Sequence, residues 1–238
     1  HYGKNYIIPA PFDPRLIAAV PAAVAQAAMV TGVARRPVED MEAYRRELSA
    51  RLDPTSSSLQ LIHDQVRSNP RRVVFAEGED DRVIRAAVQF KNAGYGEPIL
   101  IGREDEVRRT MEKLGFGNTS LEVHNARLSE RNQTYTDFLY NRLQRKGFLA
   151  RDCQRLVNQD RNVFGACMVA NGDADAMITG VTRVFSVAFN EISRVVDPLP
   201  DQRLMGISLI VGSDRSLFIA DTRIHEVPTA EELADIAV

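Results

Sequence analysis

Short apolar runs alternate with stretches of helical periodicity along this 238-residue chain, and this alternation restricts the fold more than any other feature. Val73–Phe75 and Ile99–Ile101 are typical of buried strands, and apolar residues between them recur at helical spacing from Val83 to Val88. Leu121–Val123 and Ala174–Ile178 repeat the strand pattern further along. Strands separated by helices predict βαβ units, so we expect an α/β fold with mostly parallel sheets.

The other predicted elements complete two α/β subdomains. Further helices are predicted at Pro21–Val30, Val38–Leu52, Leu59–Val66, Val107–Leu114, Tyr135–Leu143 and Cys153–Val157, with others after Asn162 and after Arg183. Two later strands, Leu204–Val211 and Leu217–Ala220, are joined by a turn typical of a hairpin. We place one subdomain at residues 55–159 and a second at residues 160–238. Residues 1–54 hold six of the 11 prolines and are predicted to be a linking segment.

The two ends of the chain predict that it belongs to a longer polypeptide. His1 is not a start methionine. Thr229 and Glu232 have the spacing of a capping box, and the helix that they would begin stops at Val238 without a C-terminal signal. We therefore expect the second subdomain to be truncated at its C-terminal end.

Composition argues against several classes of function. The formal net charge is −2, so the chain lacks the basic field that a nucleic-acid-binding protein presents. Leu16–Val30, the most apolar run, is shorter than the ~20 residues of a membrane span and contains Pro21 and Gln26. We expect a helix there that is buried or faces a partner. Cys153 and Cys167 have neither zinc-site nor disulfide-scaffold spacing, which indicates the reducing cytoplasm.

The turn after the strand at Ala174–Ile178 is the first candidate binding site. Thr179–Arg183 combines hydroxyl groups, a glycine and one arginine where a strand passes into a helix. Such a turn leaves backbone N–H groups free, and free N–H groups beside hydroxyls suit an anionic small molecule. Asp221 and Thr222 follow another strand, at a position where open α/β sheets bind ligands. Asp and Thr are also ordinary turn residues, so both interpretations of this pair stay open.

Acidic residues and histidines offer further candidates. Glu77–Asp81 follows a strand and opens a helix, so helix capping is the favoured interpretation and a magnesium site is the alternative. The histidines His63, His124 and His225 are scattered, and ordinary surface or hydrogen-bonded roles account for them. His225 is the best candidate for a catalytic base, because it follows the strand end that carries Asp221.

Four motifs carry a family resemblance. Tyr6–Ile17, YIIPAPFDPRLI, resembles the closing segment of bacterial NADP-dependent malic enzymes. The other three resemble phosphate acetyltransferases: RRVVFAEGEDDRVIRAA at Arg71–Ala87, GDADAMITG at Gly172–Gly180, and FIADTRIHEVPTAEELADIA at Phe218–Ala237. A malic enzyme tail that runs into a phosphotransacetylase-like domain resembles the layout of the bacterial hybrid malic enzymes. This resemblance covers nearly the whole chain.

The resemblance implies a binding site and partners. It implies two phosphotransacetylase-like subdomains with coenzyme A in the cleft between them. The residues that it assigns to acetyl-CoA binding are Thr179, Gly180, Val181, Thr182, Arg183, Asp221 and Thr222. It also implies acetyl-CoA as an effector, an upstream malic enzyme domain with NADP and Mg²⁺ or Mn²⁺, and a homodimer or other homo-oligomer. No cofactor or metal is expected in this segment, and no nucleic acid or membrane partner.

Two departures from the family pattern lower the expectation of catalysis. Arginines of the family correspond here to Leu143 and Asn190, and neither side chain can bind phosphate in the bidentate manner of a guanidinium. The family's catalytic serine, arginine and aspartate correspond to positions beyond Val238. We therefore expect a catalytically silent regulatory domain that senses acetyl-CoA. An active phosphate acetyltransferase and a domain that mainly drives assembly are the alternatives.

Overall fold

The computed structural model describes residues 16–50, 62–200, 202–211, 216–221 and 223–237. These residues form two compact units, one from Gln65 to Gln202 and one from the described parts of residues 1–64 and 203–238. The helices are α1 (Leu16–Val30), α2 (Met41–Ala50), α3 (Asp81–Asn92), α4 (Glu104–Lys113), α5 (Asn132–Leu143), α6 (Ala150–Gln159), α7 (Arg161–Ala170), α8 (Phe185–Ser193) and α9 (Ala230–Ala237). The strands are β1 (Arg71–Phe75), β2 (Gly96–Ile101), β3 (Glu122–His124), β4 (Ala176–Ile178), β5 (Ile207–Val211) and β6 (Ser216–Ala220). Residues 62–68 are also helical.

A four-stranded sheet lies at the centre of the unit at residues 65–202. Its order is β3-β2-β1-β4, and every neighbouring pair is parallel. Val74 of β1 lies opposite Ile99 of β2 on one side and Met177 of β4 on the other. This topology confirms the predicted α/β fold with a parallel sheet. Because the strands are parallel, their carboxyl ends meet at one edge of the sheet.

Successive side chains of each strand point to opposite faces of the sheet, so the sheet lies between two hydrophobic clusters. One face of the sheet packs against α5, α6 and α7, and the opposite face packs against α3 and α4. The first cluster includes Val74, Ile99 and Ile101, and the second includes Val73, Phe75 and Leu100. Helices thus cover both faces, which explains why the C-terminal halves of β1 and β2, Val73–Phe75 and Ile99–Ile101, are continuously apolar rather than alternating.

The strand predicted at Ala174–Ile178 differs from expectation in length and burial. β4 begins at Ala176. The residue before it, Asp175, bonds to Arg72 through both its backbone N–H and its carboxylate, each at 2.8 Å. Ile178 is 49% exposed, so the prediction of a buried strand is wrong. The reason is that β4 is the outer strand of the described sheet and pairs only with β1 there.

β4 also shares a sheet with β1, although the sequence analysis assigned its residues to a second subdomain. The compact unit at residues 65–202 continues across residue 160 without a break. The three segments 1–54, 55–159 and 160–238 stay predictions about domain organisation.

The described residues of the second unit include a hairpin and the helices α1, α2 and α9. β5 and β6 pair antiparallel, with Leu209 opposite Phe218, and this pairing confirms the predicted hairpin. α1 packs against α2. The capping box before α9 is present: the N–H of Thr229 donates to Oε2 of Glu232 at 2.8 Å, and the N–H of Glu232 donates to Oγ1 of Thr229 at 3.2 Å.

The apolar helix α1 is longer and more exposed than predicted. It begins at Leu16, so Pro21 lies inside it rather than at its start. Ala22 is the buried residue of α1, whereas the side chains of Val24 and Val30 are 62% and 81% exposed. Among the described residues, α1 is therefore not a buried helix. The alternative, that the exposed apolar side chains of α1 face a partner, stays a prediction. None of the described helices is both long and apolar enough to cross a membrane.

Candidate functional site

The loop Thr179–Arg183 lies at the carboxyl edge of the parallel sheet. It directly follows β4, and β4 is the neighbour of β1. β1 ends at Phe75, and the chain then turns through Glu77 and Gly78 toward α3. The candidate loop and the end of β1 therefore meet, although they are about one hundred residues apart in sequence.

The carboxylate of Glu77 binds the backbone of this loop. Its Oε2 accepts hydrogen bonds from the N–H groups of Gly180 at 3.0 Å and Val181 at 2.7 Å. Its Oε1 accepts from the N–H of Thr182 at 2.7 Å and from the Thr182 hydroxyl at 2.5 Å. Glu77 is 1% exposed. The N–H groups that were expected to be free for an anionic ligand thus bind a carboxylate of the same chain.

The environment of Glu77 favours its ionised form. Burial is the largest influence and raises the pKa of this carboxyl group, because a charge is less stable away from water. The hydrogen bonds from Thr182, Val181 and Gly180 act in the opposite direction. Together they outweigh burial, so the pKa of Glu77 lies below its ordinary value. Glu77 is therefore a buried anion that its own chain satisfies.

A second set of contacts holds the two ends of the loop. The hydroxyl of Thr179 donates to Oδ1 of Asn162 at 2.6 Å, and Nδ2 of Asn162 donates to Oε2 of Glu191 at 2.7 Å. Arg183 donates to Oδ2 of Asp160 at 2.9 Å and to Oε1 of Glu191 at 2.5 Å. We call Thr179, Asn162, Glu191, Arg183 and Asp160 the Arg183 network. Asn162 is fully buried, and its position at the start of α7 fixes the network to the sheet.

The Arg183 network leaves no spare positive charge at the loop. The Arg183 guanidinium lies between the carboxyl groups of Asp160 and Glu191, and the carboxylate of Glu77 binds the backbone of the same loop. Burial alone would lower the pKa of Arg183, but the hydrogen bonds to Asp160 and Glu191 raise it, so the side chain stays charged. An anionic ligand at this loop must replace contacts that the chain already makes.

Asp221 forms a separate cluster in the other compact unit. It follows β6 with φ at 51°, a left-handed conformation that is uncommon for a residue other than glycine. Its carboxylate accepts from the N–H groups of Ile224 at 3.1 Å and His225 at 3.0 Å, and Oδ2 lies 2.5 Å from Nδ1 of His225. His225, the predicted candidate for a base, thus has an orienting carboxylate. Thr222 lies outside the described residues.

The acidic side chains of the segment Glu77–Asp81 bind different partners. Asp80 caps α3 by accepting from the N–H of Arg82, which confirms the capping prediction for that residue. Glu79 instead pairs with Arg103 at 3.1 Å, and Glu77 binds the loop after β4, so capping is wrong for these two. Among the described residues, no group of three or more His, Cys, Asp or Glu side chains is arranged to hold a metal ion.

Comparison with known proteins identifies the family. Residues 57–238 match the family model for phosphate acetyl/butaryl transferases. The chain belongs to this family. It is also similar to the NADP-dependent malic enzymes of Rhizobium meliloti strain 1021, with 53% identity over 99% of this chain, and of Escherichia coli K12, with 35% identity over 100% of it. It covers 31% and 32% of those two enzymes, about a third of their length.

The phosphate acetyltransferases themselves are more distant relatives. The enzyme from Staphylococcus epidermidis RP62A is 26% identical over 76% of this chain and 54% of its own. Among solved structures, the EutD phosphotransacetylase from Staphylococcus aureus matches with a TM-score of 0.69 and 26% identity, over 76% of this chain and 54% of that one. These similarities confirm the resemblance to malic enzymes with a phosphotransacetylase-like region.

The two residues that depart from the family pattern have different surroundings. Leu143 ends α5 and is buried in the hydrophobic cluster on one face of the sheet, 1% exposed. Asn190 is exposed on α8. A buried leucine within an apolar cluster cannot be exchanged for a charged group without rearrangement, so the region around Leu143 is built as core.

Sequence reasoning identified the loop but missed the residues that hold it. Glu77, Asp160, Asn162 and Glu191 were not predicted to contact Thr179–Arg183. One signal for Glu77 was available: it follows a buried strand at the carboxyl edge of a parallel sheet. Its partner strand, however, depends on the order of strands in the sheet, which one sequence does not reveal.

Proposed function

We propose that this chain is a regulatory, phosphotransacetylase-like domain of an NADP-dependent malic enzyme. In this proposal, an upstream domain with NADP and Mg²⁺ or Mn²⁺ performs the oxidative decarboxylation of malate to pyruvate. This domain binds acetyl-CoA as an effector and does not itself transfer acetyl groups. The family membership and the similarity to malic enzymes over the whole chain support it. The same similarities favour a cytoplasmic homo-oligomer.

The observation that carries the proposal is that the hydrogen-bond donors and the arginine of the Thr179–Arg183 loop are already paired with acidic side chains of the same chain. Acetyl transfer to or from phosphate requires fixed positive groups that stabilise the charge of the phosphoryl oxygens. At this loop, Arg183 lies between Asp160 and Glu191, and Glu77 occupies the backbone donors. A loop whose donors and cation are already paired is better suited to keep one conformation than to bind a phosphoryl group during acetyl transfer.

Regulation requires acetyl-CoA to bind one conformation of the protein more tightly than another. A coupling of about 1–3 kcal/mol is typical, which corresponds to a change of about 5–150-fold in affinity. The loop has discrete partners, so a second arrangement would have to break the contacts of Glu77 or of the Arg183 network. We propose that acetyl-CoA selects between these arrangements.

The first test measures malic enzyme activity of the full-length protein with increasing acetyl-CoA. We expect acetyl-CoA to lower the activity several-fold and free coenzyme A to have a smaller effect. Deletion of residues 57–238 should remove the response while malate oxidation persists. An acetyl-CoA response that survives this deletion would contradict the proposal.

The second test assigns the binding residues by calorimetric titration of the full-length protein with acetyl-CoA. Arg183→Ala should weaken binding about tenfold or more, because the loop loses the side chain that ties it to Asp160 and Glu191. Arg155→Ala, which removes an exposed arginine of α6, is the control with the same change in charge. Equal affinities of the two variants would remove Arg183 from the site.

The alternative function is an active phosphate acetyltransferase, and the Asp221–His225 pair favours it. A histidine oriented by a carboxylate is the usual arrangement of a general base. In this reaction the coenzyme A thiol would lose its proton and attack acetyl phosphate, and the products would be acetyl-CoA and inorganic phosphate. Formation of acetyl-CoA from these substrates, lost in His225→Gln, would establish this alternative. Its absence in the full-length protein agrees with the regulatory proposal.

A further inference from the structure

The loop Thr179–Arg183 contains three consecutive backbone donors that share one acceptor. The N–H groups of residues 180, 181 and 182 donate to the carboxylate of Glu77 at 3.0, 2.7 and 2.7 Å, and no other described residue accepts from them. The hydroxyl of Thr182 donates to the same carboxylate. Successive N–H groups that converge on one point form a binding site for an anion. We call these four donors the carboxylate site.

The turn that carries Glu77 is fixed against the neighbouring strand. The N–H of Gly78 donates to the carbonyl oxygen of Ile101 in β2 at 3.0 Å. A Cβ atom at Gly78 would lie 2.8 Å from the Cβ of Leu100 and 2.9 Å from that carbonyl oxygen, so the turn lies directly on β2. Residues 180–182, in contrast, are exposed. A carboxylate that is held by the sheet therefore binds a loop at the surface.

The two sets of contacts that hold this loop differ in what happens when they break. Glu77 is 1% exposed, so a movement of the loop that removed its four donors would leave a buried charge without hydration. The side chains of Arg183, Asp160 and Glu191 are 29%, 16% and 13% exposed, so water can reach them once they separate. The contacts of Glu77 are therefore the permanent ones, and the Arg183 network is the part that can rearrange.

We propose that Glu77 is the positioning residue of this loop: its carboxylate is a built-in anionic ligand that holds residues 180–182 in the conformation that binds acetyl-CoA. Acetyl-CoA then changes the contacts of Arg183 and leaves those of Glu77 intact. The choice of acetyl-CoA as ligand rests on the function proposed above, whereas the role of the carboxylate does not. Because the loop requires an anion at this point, a small free carboxylate ion should replace the side chain when it is removed.

Hydrogen exchange of the full-length protein, followed by mass spectrometry of the segment 179–183, tests this role. In Glu77→Ala the amides of residues 180–182 should exchange about tenfold faster or more than in the unchanged protein, because they lose their acceptor. Sodium formate should slow this exchange again several-fold, and sodium chloride at the same concentration should not. Formate is ionised near neutral pH and is small enough for the space that the lost carboxymethyl group leaves.

Two controls separate this effect from a general stabilisation by salt. Propionate is too large for the vacant space and should leave the exchange in Glu77→Ala unchanged. Asn162→Ala also removes a contact of the loop, the hydrogen bond from Thr179, but the space that it leaves adjoins the acidic side chain of Glu191, which disfavours an anion. Formate should therefore not slow the exchange of the loop in Asn162→Ala. Equal effects of formate and chloride in Glu77→Ala would overturn the proposal.

The same ion distinguishes a loss of folding from a loss of positioning. If Glu77→Ala is unfolded in chloride buffer, formate should restore its cooperative thermal transition by binding the folded state. An unfolded variant that formate does not restore would contradict the role of Glu77. A folded variant whose loop exchanges as slowly as that of the unchanged protein would contradict it equally.

Calorimetric titration of the full-length protein with acetyl-CoA connects the carboxylate to ligand binding. Glu77→Ala should bind acetyl-CoA about tenfold more weakly or worse in chloride, and formate should recover several-fold of this loss. Formate should not change the affinity of the unchanged protein, whose carboxylate site is filled. Unaltered affinity in folded Glu77→Ala would refute the positioning role. If the unchanged protein itself binds no acetyl-CoA, the proposed function fails, while the exchange experiment still decides the role of the carboxylate.

Discussion

At the scale of single residues, Glu77 is the most consequential side chain in the unit at residues 65–202. It is buried, it is ionised, and it accepts four hydrogen bonds from residues 180–182. A buried charge is unfavourable unless hydrogen bonds replace its hydration. Glu77 therefore stabilises the fold only while the loop keeps its present conformation.

Glu77→Gln should reduce the free energy of unfolding by about 3 kcal/mol, since the new amide group places donors against backbone N–H donors. Urea unfolding of the chain measures this change. Glu97→Gln is the control, because Glu97 makes an exposed ion pair with Lys91 that contributes at most about 1 kcal/mol. A similar loss in both variants would show that the loop contacts of Glu77 contribute little.

The same residue predicts a dependence on pH. The pKa of Glu77 in the folded chain lies below its ordinary value of 4.5, so the folded state holds its proton less tightly than the unfolded state does. Its stabilising effect is therefore complete above pH 4.5 and is lost as the pH falls through the folded-state pKa.

We expect the stability difference between the unchanged chain and Glu77→Gln to be constant from about pH 7 to pH 5 and to shrink at lower pH. Urea unfolding at a series of pH values tests this. A difference that grows on acidification would reverse the assigned direction of the pKa shift.

The sequence predicted the location of this loop but not its electrostatics. Thr179 to Arg183 stood out because hydroxyls, a glycine and a cation follow a strand. The charges that neutralise Arg183 come from Asp160 and Glu191, which lie on neighbouring helix ends. Their approach depends on how α7 and α8 pack, and no local pattern records it.

At the scale of secondary structure, the pairing of β1 with β2 depends on a close backbone approach at Gly96. A Cβ atom at Gly96 would lie 1.9 Å from the carbonyl oxygen of Arg71, and φ at this residue is 151°. Gly96→Ala should therefore reduce the free energy of unfolding by about 3 kcal/mol or more. Gly117→Ala is the control, because its Cβ would have ordinary contacts at 3.4 Å. Equal free energies of unfolding of the two variants in urea would contradict the close approach of Gly96 to Arg71.

The N-terminus of α7 gives a second prediction at this scale. Asp160 caps α7 by accepting from the N–H groups of Asn162 and Val163, and it also pairs with Arg183. Asp160→Ala should reduce the free energy of unfolding by about 2–3 kcal/mol, because both the helix cap and the half-buried contact with Arg183 are lost. Asp80→Ala removes a cap from α3 whose partner Arg82 is exposed, and should cost about 1 kcal/mol. Thermal unfolding of both variants compares them, and equal costs would deny Asp160 a role beyond capping.

Element prediction succeeded where periodicity and burial agree. β1, β2, α3 and α4 have apolar residues at the period of their structure, and they were predicted within a few residues. β4 was predicted correctly as a strand but incorrectly as a buried one. Burial of a strand depends on whether it has neighbours on both sides, and that is a property of the sheet rather than of the strand.

At the scale of the whole molecule, the described residues divide into two compact units. The unit from Gln65 to Gln202 is continuous in sequence and contains both hydrophobic clusters and the whole parallel sheet. A continuous segment with its own core is expected to fold alone. Residues 65–202 should show a single cooperative thermal transition by circular dichroism. A broad, non-cooperative transition would show that this unit depends on the rest of the protein.

The sequence predicted the α/β class of the molecule and the family resemblance, but it did not predict this division. The linking role of residues 1–54 was inferred from proline content. The described parts of residues 1–64 and 203–238 belong to one unit although they are far apart in the sequence. Composition and periodicity describe neighbours in sequence and therefore carry no information about such a grouping.

The order of strands also constrains how this protein is made. A ribosome releases β1 and α3 about one hundred residues before the loop that Glu77 requires. Until residues 180–182 emerge, the end of β1 must keep its carboxylate hydrated, so this edge of the nascent sheet cannot close over it. Contacts so distant in sequence slow folding and prolong the exposure of incomplete sheets. Assembly of the sheet during translation therefore finishes only when β4 and the following loop arrive.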